Sequence, residues 1–371
     1  MKIGIITFHW AINYGAVIQA WALQKFLESA GHQVVIIDYE HRSQPRFPLL
    51  TVLRKNKARR CREKLFKQFS RNMLRMTPRH YTPKSIDCMK NLGFDAYITG
   101  SDQIWNLEFL NLPKEGMSYS YFLDFAEENA LKIAYAASLG NTGNKQLSSD
   151  TNIMGLLEKF DAVSVREAHA VDILKQCGRN DTELVPDPTI LLKKHDYLNI
   201  CPQNSNRRQS PYIFGYVLGE QQRCRKSLEK FSREYDLQAV NLHSDNFSKD
   251  ELMSWNKIKL LCVSPDKWIK KIASAKAVIT DSFHGTVISV ILNRPFVVLG
   301  KMGNNAGQNE RLSSFLKYIG LEERMIVEES IGRVPNILEQ KIDWQAVNLK
   351  LASFRLCGEE FICKNLKDKM N

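Results

Sequence analysis

The chain has no apolar run long enough to cross a bilayer. Its longest candidate, Gly285 to Leu292, is stopped by Asn293 and Arg294, well short of the about 18 apolar residues that a span needs. The N-terminus, MKIGIITFHW, carries one lysine before a strand-like run. It lacks the basic stretch and small-residue cleavage site of a secretory signal, so a cytoplasmic protein is expected. Paired cysteine spacing is also missing. Eight cysteines are present (Cys61, Cys88, Cys177, Cys201, Cys224, Cys262, Cys357 and Cys363), and no two are separated by two residues. That spacing excludes a zinc knuckle and a CxxC redox motif, and reduced thiols are expected. No metal-ligand pattern occurs, and no metal or cofactor is expected. The loop His9–Ala16 after the first apolar run has neither a GxGxxG fingerprint nor a Walker loop, so dinucleotide and ATP binding are unsupported.

What remains is an ordinary globular composition, with 44% hydrophobic and 25% charged residues, 19 Gly and 12 Pro. Those values exclude disordered and collagenous classes. At 371 residues the chain exceeds the usual size of one core, so two domains are expected. Charge is the unusual feature. The net is +12, and between Arg42 and Lys84 fourteen Lys or Arg face the single acid Glu63. That stretch alone carries +13, which leaves −1 for everything else. The protein reads as a nearly neutral body with one cationic appendage, suited to a polyanion or an anionic surface.

Along the chain, short apolar runs alternate with helical patterns. IGIITF reads as a strand, Ala16 to Ala30 as a helix ended by Gly31, and QVVIID as the next strand. The cationic segment 42–84 then looks like a helical insertion, with Leu65, Phe66, Phe69, Met73 and Met76 on one stripe. FDAYITG, KIAYAAS, DAVSV and TELV follow as strands, and a polar crossing, Cys201 to Pro211, leads to a second set. That set is PYIFGYVLG, LQAVNL, IKLLCV, AVIT and PFVVLG, with helices between. The pattern predicts two doubly wound α/β domains, residues 1–190 and 205–335, with a helical tail 336–371. Two such domains facing each other would leave a cleft at the carboxyl ends of their strands.

Polar clusters follow several of these strands. In Asp281-Ser282-Phe283-His284-Gly285-Thr286 a helix starts directly after AVIT, its N–H groups favour an anion, and His284 can exchange a proton near neutrality. The same residues also suit a plain helix cap by Ser282 or Asp281 beside a bystander histidine. Gly100-Ser101-Asp102-Gln103-Ile104-Trp105-Asn106 suits sugar recognition, with Asp102 and Asn106 for hydroxyls and Trp105 for a pyranose face. An Asx turn over a buried tryptophan is the alternative. Asn13 and Gly15 open the first helix, as small groups facing a ligand or as a plain N-cap. Arg166, after DAVSV, offers a fork for a carboxylate or phosphate, or an ion pair with Glu167 or Asp172. Lys301 and Arg311 flank a glycine- and asparagine-rich segment, GKMGNNAGQNER, which can be a mobile loop or a mere connection.

Five elements together give a resemblance: NYGAVIQAWAL from Asn13, GSDQIWN from Gly100, SVREAHAVDILKQCG from Ser164, VPDPTILL from Val185 and TDSFHGTVISVILNRPFVVL from Thr280. In this order they resemble the polysaccharide pyruvyl transferase family over roughly residues 1 to 325. The resemblance implies a GT-B-like architecture of two Rossmann-like domains. It also implies transfer of pyruvate from phosphoenolpyruvate onto two sugar hydroxyls as a cyclic ketal. Arg166 matches the family's arginine after a first-domain strand, and His284 matches its histidine at a second-domain helix start. Many members carry an arginine two residues before that histidine, where this chain has Ser282. Lys301 and Arg311 are the candidates to take its place.

The resulting assignment has His284 as general acid and Asp102 as base or orienter. Arg166, Ser282, Phe283, Gly285, Thr286, Lys301 and Arg311 form the donor side. Asn13, Tyr14, Gln103, Trp105 and Asn106 form the acceptor side. The expected acceptor is galactose or a related hexose, on a polyprenyl diphosphate carrier. Arg59, Arg60, Lys64, Lys67 and Arg71, within 54–76, are expected to hold the enzyme peripherally on the inner face of the cytoplasmic membrane. A GT-B-type glycosyltransferase using a nucleotide sugar is the alternative. Nucleic acid is not an expected partner, because the segment's few aromatics, Phe47, Phe66, Phe69 and Tyr81, are not interleaved with exposed charge.

Overall fold

The computed structural model describes residues 1–41, 57–112, 116–201, 210–242, 258–302, 309–327 and 331–367. Contacts divide the chain into two units. One comprises Met1–Pro48, Ser70–Leu192 and Ser353–Asn371, and the other Leu49–Phe69 and Lys193–Ala352.

The first unit is built on β1 (Lys2–Ile6), β2 (Gln33–Ile36), β3 (Ala96–Thr99), β4 (Leu131–Ala137), β5 (Ala162–Val165) and β6 (Glu183–Leu184). The strands lie in the order β2-β1-β3-β4-β5-β6, every pair parallel. β3, β4 and β5 are buried at every position. That explains their largely apolar sequences, because a parallel sheet is covered on both faces. Helix α1 (Tyr14–Ser29) connects β1 to β2 and buries Val17, Ala20, Trp21, Leu23 and Leu27.

The described part of the cationic segment ends in a strand-like stretch at the edge of the first sheet. Its helix α2 (Lys57–Met73) leads to residues 76–81, which run parallel beside β2 through the bridges Ile36–Met76 and Tyr39–Tyr81. The Thr77 amide donates to the Ile36 carbonyl at 2.9 Å, and the Tyr81 amide to the Asp38 carbonyl at 2.7 Å. Residues 76–81 therefore occupy the outermost place of the first unit's sheet, and α2, whose residues 57–69 group with the second unit, leads to them. Residues 42–56 of the expected insertion lie outside the described residues. Two hydrogen bonds fix the end of α2: Gln24 Nε2 donates to the Met73 carbonyl at 3.2 Å, and the Arg75 amide donates to Gln24 Oε1 at 2.9 Å.

The second unit contains β7 (Tyr212–Tyr216), β8 (Gln238–Leu242), β9 (Lys259–Leu261), β10 (Ala277–Thr280), β11 (Phe296–Leu299) and β12 (Met325–Ile326). Their order is β9-β8-β7-β10-β11-β12, again all parallel. Its helices include α5 (Gln221–Tyr235), α6 (Pro265–Ser274), α7 (Phe283–Ile291) and α8 (Glu310–Ile319), while α3 (Ala168–Gln176) and α4 (Pro188–Leu191) belong to the first unit. Most of the expected interdomain crossing, residues 202–209, lies outside the described residues.

The tail is not a separate unit. Helix α9 (Trp344–Lys367) belongs from Ser353 onward to the first unit. There Arg355 Nε donates to the Ile190 carbonyl at 2.7 Å, and Phe361 lies 6.2 Å from the Tyr135 ring.

Candidate active site

In each sheet the strand order reverses beside the first strand, between β1 and β3 and between β7 and β10. Such switch points splay the connecting loops apart at the carboxyl ends of the strands, which is where open α/β sheets hold ligands. Both polar motifs picked out from the sequence follow strands at these points. Asp102 comes after β3, and His284 comes after β10.

In the first unit, the loop after β3 turns inward. Gly100 has φ 117° and lies so close to the Tyr135 carbonyl that no Cβ fits. This close approach carries Ser101 into the core, where its Oγ donates to the Ala136 carbonyl at 2.6 Å and its amide donates to Gln19 Oε1 at 3.1 Å. Gln19 is tied in turn to Thr7 Oγ1 at 2.8 Å, so β1, α1 and the loop after β3 share one buried network.

Arg166 lies at the centre of this network. Its Nη1 donates to Asp187 Oδ2 at 2.8 Å, its Nη2 to Asp102 Oδ1 at 3.2 Å and its Nε to Glu167 Oε1 at 3.1 Å. The side chains of Arg166, Glu167 and Asp187 are 1%, 1% and 0% exposed, whereas Asp102 keeps 14%. Burial opposes the guanidinium charge, but Glu167, Asp187 and Asp102 outweigh it and hold Arg166 above its ordinary value. The expected donor fork is therefore corrected. Its Nε, Nη1 and Nη2 all donate to carboxylates, Asp102 among them. The anticipated pairing with Glu167 exists, and Asp172 is exposed and takes no part in the Arg166 bonds described.

The acceptor-side expectations divide. Trp105 is fully buried, stacked on Phe122 at 5.3 Å with an interplanar angle of 2°, and its Nε1 donates to the Tyr121 carbonyl at 3.0 Å. It is a core residue and offers no face to a sugar. Asn106 is buried and caps the one-turn helix Leu107–Leu110. Tyr14 is buried as well, and Asn13 is the N-cap of α1, its Oδ1 accepting from the Gly15 amide at 2.9 Å. Packing and capping use up these side chains, so only Asp102 and Gln103 of the loop keep partial exposure. Sequence reasoning missed Asp187. It caps α4 by accepting from the Thr189 amide at 3.0 Å and also holds Arg166. The Pro-Asp-Pro context before an apolar turn was the available signal. The pairing of Asp38 Oδ1 with His9 Nε2 at 3.0 Å and His80 Nδ1 at 3.1 Å was also missed. Burial raises the Asp38 carboxyl, but the two histidines outweigh it and leave it below its ordinary value.

In the second unit, Ser282 is the N-cap of α7, its Oγ accepting from the Gly285 amide at 3.3 Å. Asp281 closes a different turn. Its carboxylate accepts from the Leu218, Gly219 and Glu220 amides at 2.6, 2.7 and 3.0 Å, which pins the loop after β7 to the end of β10. Gly285 is required by packing, since a Cβ would stand 2.5 Å from Thr280 Oγ1 and 3.0 Å from Tyr216 Cδ1. Thr286 is an internal helix residue, its Oγ1 donating to the Ser282 carbonyl at 3.0 Å, and Phe283 packs edge-on against Phe315 at 6.0 Å. These contacts make Ser282, Phe283, Gly285 and Thr286 the scaffold that sets the helix start. His284, 8% exposed, sits in the first turn of α7.

Lys301 follows β11, the neighbour of β10. Asn309 clamps it from across the loop, accepting from the Lys301 amide at 2.7 Å and donating to its carbonyl at 2.8 Å. Residues 303–308 of this loop lie outside the described residues. Burial lowers the Lys301 ammonium below its ordinary value; nearby Asp281 and Glu220 oppose this, and Arg311 adds to it. Lys301 and Arg311, in the first turn of α8, both belong to the second unit. Among the described residues no group of three or more His, Cys, Asp or Glu side chains could hold a metal ion, and no helix is long and apolar enough to cross a membrane.

Known proteins bear on this arrangement in three ways. No curated protein sequence matches the chain significantly. Solved structures share the fold. One is a UDP-GlcNAc 2-epimerase from Methanocaldococcus jannaschii, with a TM-score of 0.57 and 11% identity over 97% of this chain and 100% of that one. Another is the UDP-N-acetylglucosamine 2-epimerase from Rickettsia bellii, with a TM-score of 0.53 and 14% identity over 99% and 96%. At such identities the likeness concerns the fold alone, the GT-B-type pair of Rossmann-like domains. The family model for polysaccharide pyruvyl transferase matches residues 13–300, which include both switch-point loops, Arg166 and His284. The chain belongs to the polysaccharide pyruvyl transferase family.

Proposed function

We propose that the protein transfers pyruvate from phosphoenolpyruvate to two hydroxyls of one sugar residue, forming a cyclic ketal and releasing phosphate. The sugar is galactose or a related hexose of a polysaccharide precursor, carried on a polyprenyl diphosphate. Phosphoenolpyruvate has a carboxylate and a phosphate, so its site must be cationic. The observation that carries the reading is the start of α7 at the switch point after β10, with His284 in its first turn and Lys301 following the neighbouring strand β11. A helix N-terminus and Lys301, with Arg311 in the first turn of the helix that follows, suit a small dianion or trianion. They also supply charge where this chain has Ser282 in place of the arginine found in many members.

Chemistry starts with a proton. The methylene carbon of phosphoenolpyruvate is protonated, with His284 as the acid, and becomes the methyl group of the ketal. The adjacent carbon gains oxocarbenium character and accepts one sugar hydroxyl. Its C–O bond to phosphate then breaks, the second hydroxyl adds, and the ring closes. Two hydroxyl protons leave, one balancing the proton placed on carbon and one departing with phosphate. Asp102 is suited to take or orient a hydroxyl proton, because Arg166 fixes Oδ1 while the carboxylate keeps partial exposure. Arg166 and Asp187 act through Asp102 as positioning residues.

Thermal-shift titration tests the donor. Phosphoenolpyruvate should raise the unfolding midpoint, and Lys301→Ala with Arg311→Ala should abolish the shift. Stabilisation by nucleotide sugars alone would favour the glycosyltransferase alternative.

A further inference from the structure

Helix α2 has two faces of opposite chemistry, and the structure uses only one of them for packing. Phe66 and Phe69 are each 4% exposed, and Leu65 and Met73 are partly buried. At 3.6 residues per turn these positions share one side of the helix. Arg60, Lys64, Lys67 and Arg71 follow one another at intervals of four, three and four residues, so they form a single row on the opposite side. All four are exposed, and among the described residues none of them has an ion-pair partner. The one acid of the segment, Glu63, lies off this row and is paired with Arg59 at 3.5 Å. The row is about 16 Å long at 1.5 Å per residue.

This geometry bears on the expected membrane role of residues 54–76. The stripe is spent on packing, so insertion of Phe66 or Phe69 into a bilayer is closed off. Adsorption by charge remains.

We infer that the Arg60–Lys64–Lys67–Arg71 row is a purely electrostatic docking surface for an anionic lipid bilayer. A row on a convex, exposed helix face presents its charges to a plane, as the headgroups of a bilayer require. It bears no exposed aromatic among the described residues, so the stacking that single-stranded nucleic acid exploits is missing. Adsorption here is additive and screened. Each Lys or Arg near an anionic surface is worth about fivefold in partitioning, so the row is worth on the order of several hundredfold at low salt and little at high salt. Such adsorption would place a lipid-linked acceptor within reach. That consequence rests on the proposed function, but the surface itself does not.

The test uses the full chain, without substrate, in co-sedimentation with vesicles of phosphatidylcholine alone or with roughly one-third phosphatidylglycerol. Binding is expected to the anionic vesicles only and to be reversed by salt. The variant R60Q/K64Q/K67Q/R71Q should lose it roughly a hundredfold or more with an unchanged unfolding midpoint, since glutamine keeps helix propensity at exposed sites. Arg60→Lys with Arg71→Lys should retain it, because charge and not fork geometry is at work. Equal binding to neutral vesicles, salt-resistant binding, a quadruple variant that binds as wild type, or tighter binding to a single-stranded oligonucleotide than to anionic vesicles would each overturn the inference. Failure of phosphoenolpyruvate-dependent transfer would leave these readouts unmoved, so the two proposals fail separately.

Discussion

Replacing Arg166 with alanine separates two roles that the sequence leaves open. As a donor ligand, its loss would spare the fold and raise the Michaelis constant for the donor. The structure predicts a different outcome. Arg166 is 1% exposed and is the shared partner of Glu167, Asp187 and Asp102, two of which are themselves at most 1% exposed. Removing one member of a buried ion pair costs about 3–5 kcal/mol, because the partner charge stays behind without compensation. Spread over a domain of this size, that lowers the unfolding midpoint by roughly 10 °C. The loss should depend on pH in a definite sense. Without the guanidinium, buried Asp187 and Glu167 would hold protons more tightly folded than unfolded. Their contribution would then be retained at acid pH and lost as pH rises, so the variant should be closest to wild type near pH 5 and furthest from it near pH 8. Differential scanning fluorimetry across that range, with a double-mutant cycle against Asp187→Asn, measures both effects. The double variant Arg166→Met with Asp187→Asn should recover part of the loss. An Arg166→Ala protein that melts with wild type at every pH and shows only weakened donor binding would refute the positioning role.

Other outcomes follow from the same contacts. Trp105→Ala should cost about 3–5 kcal/mol in denaturant unfolding as a buried aromatic truncation; a change confined to acceptor affinity would contradict its core placement. Gly285→Ala should destabilise by about 1–3 kcal/mol, since its methyl must displace Thr280 or Tyr216, and an unchanged midpoint would show that the turn can yield. His284→Ala should keep its unfolding midpoint and lower turnover by about two to four orders of magnitude, and near-normal turnover would remove it as the acid. Because Lys301 is held below its ordinary value, donor affinity should fall at a lower pH on the alkaline side than for an exposed lysine. Lys301→Arg should shift that fall upward, and an identical profile would exclude Lys301 from the donor site.

The strands were legible because burial on both faces favours short β-branched and apolar runs: AYIT, AVSV, AVIT and FVVL are buried at every position and carry no charge. The start of α7 was legible because a serine cap and a glycine are local signals. Arg166 was not. Its partners Asp187 and Asp102 stand 21 and 64 residues away, and a strand-end arginine looks the same whether its fork faces a ligand or a buried carboxylate. Trp105 failed for a related reason, since polar neighbours in sequence point outward or inward depending on a turn set by Gly100 against Tyr135. The parallel pairing of residues 76–81 with β2 was not legible either, being a long-range contact hidden behind a run of charge.

The most direct test of the account is a stoichiometric one. Purified protein is incubated with phosphoenolpyruvate and a hexose acceptor, phosphate release is followed, and the product is examined by carbon NMR and mass spectrometry. The account predicts one phosphate released per acceptor, a new ketal carbon with an attached methyl group, and loss of all three signals in His284→Ala. Phosphate release without a ketal, or sugar transfer from a nucleotide sugar in the absence of phosphoenolpyruvate, would contradict it.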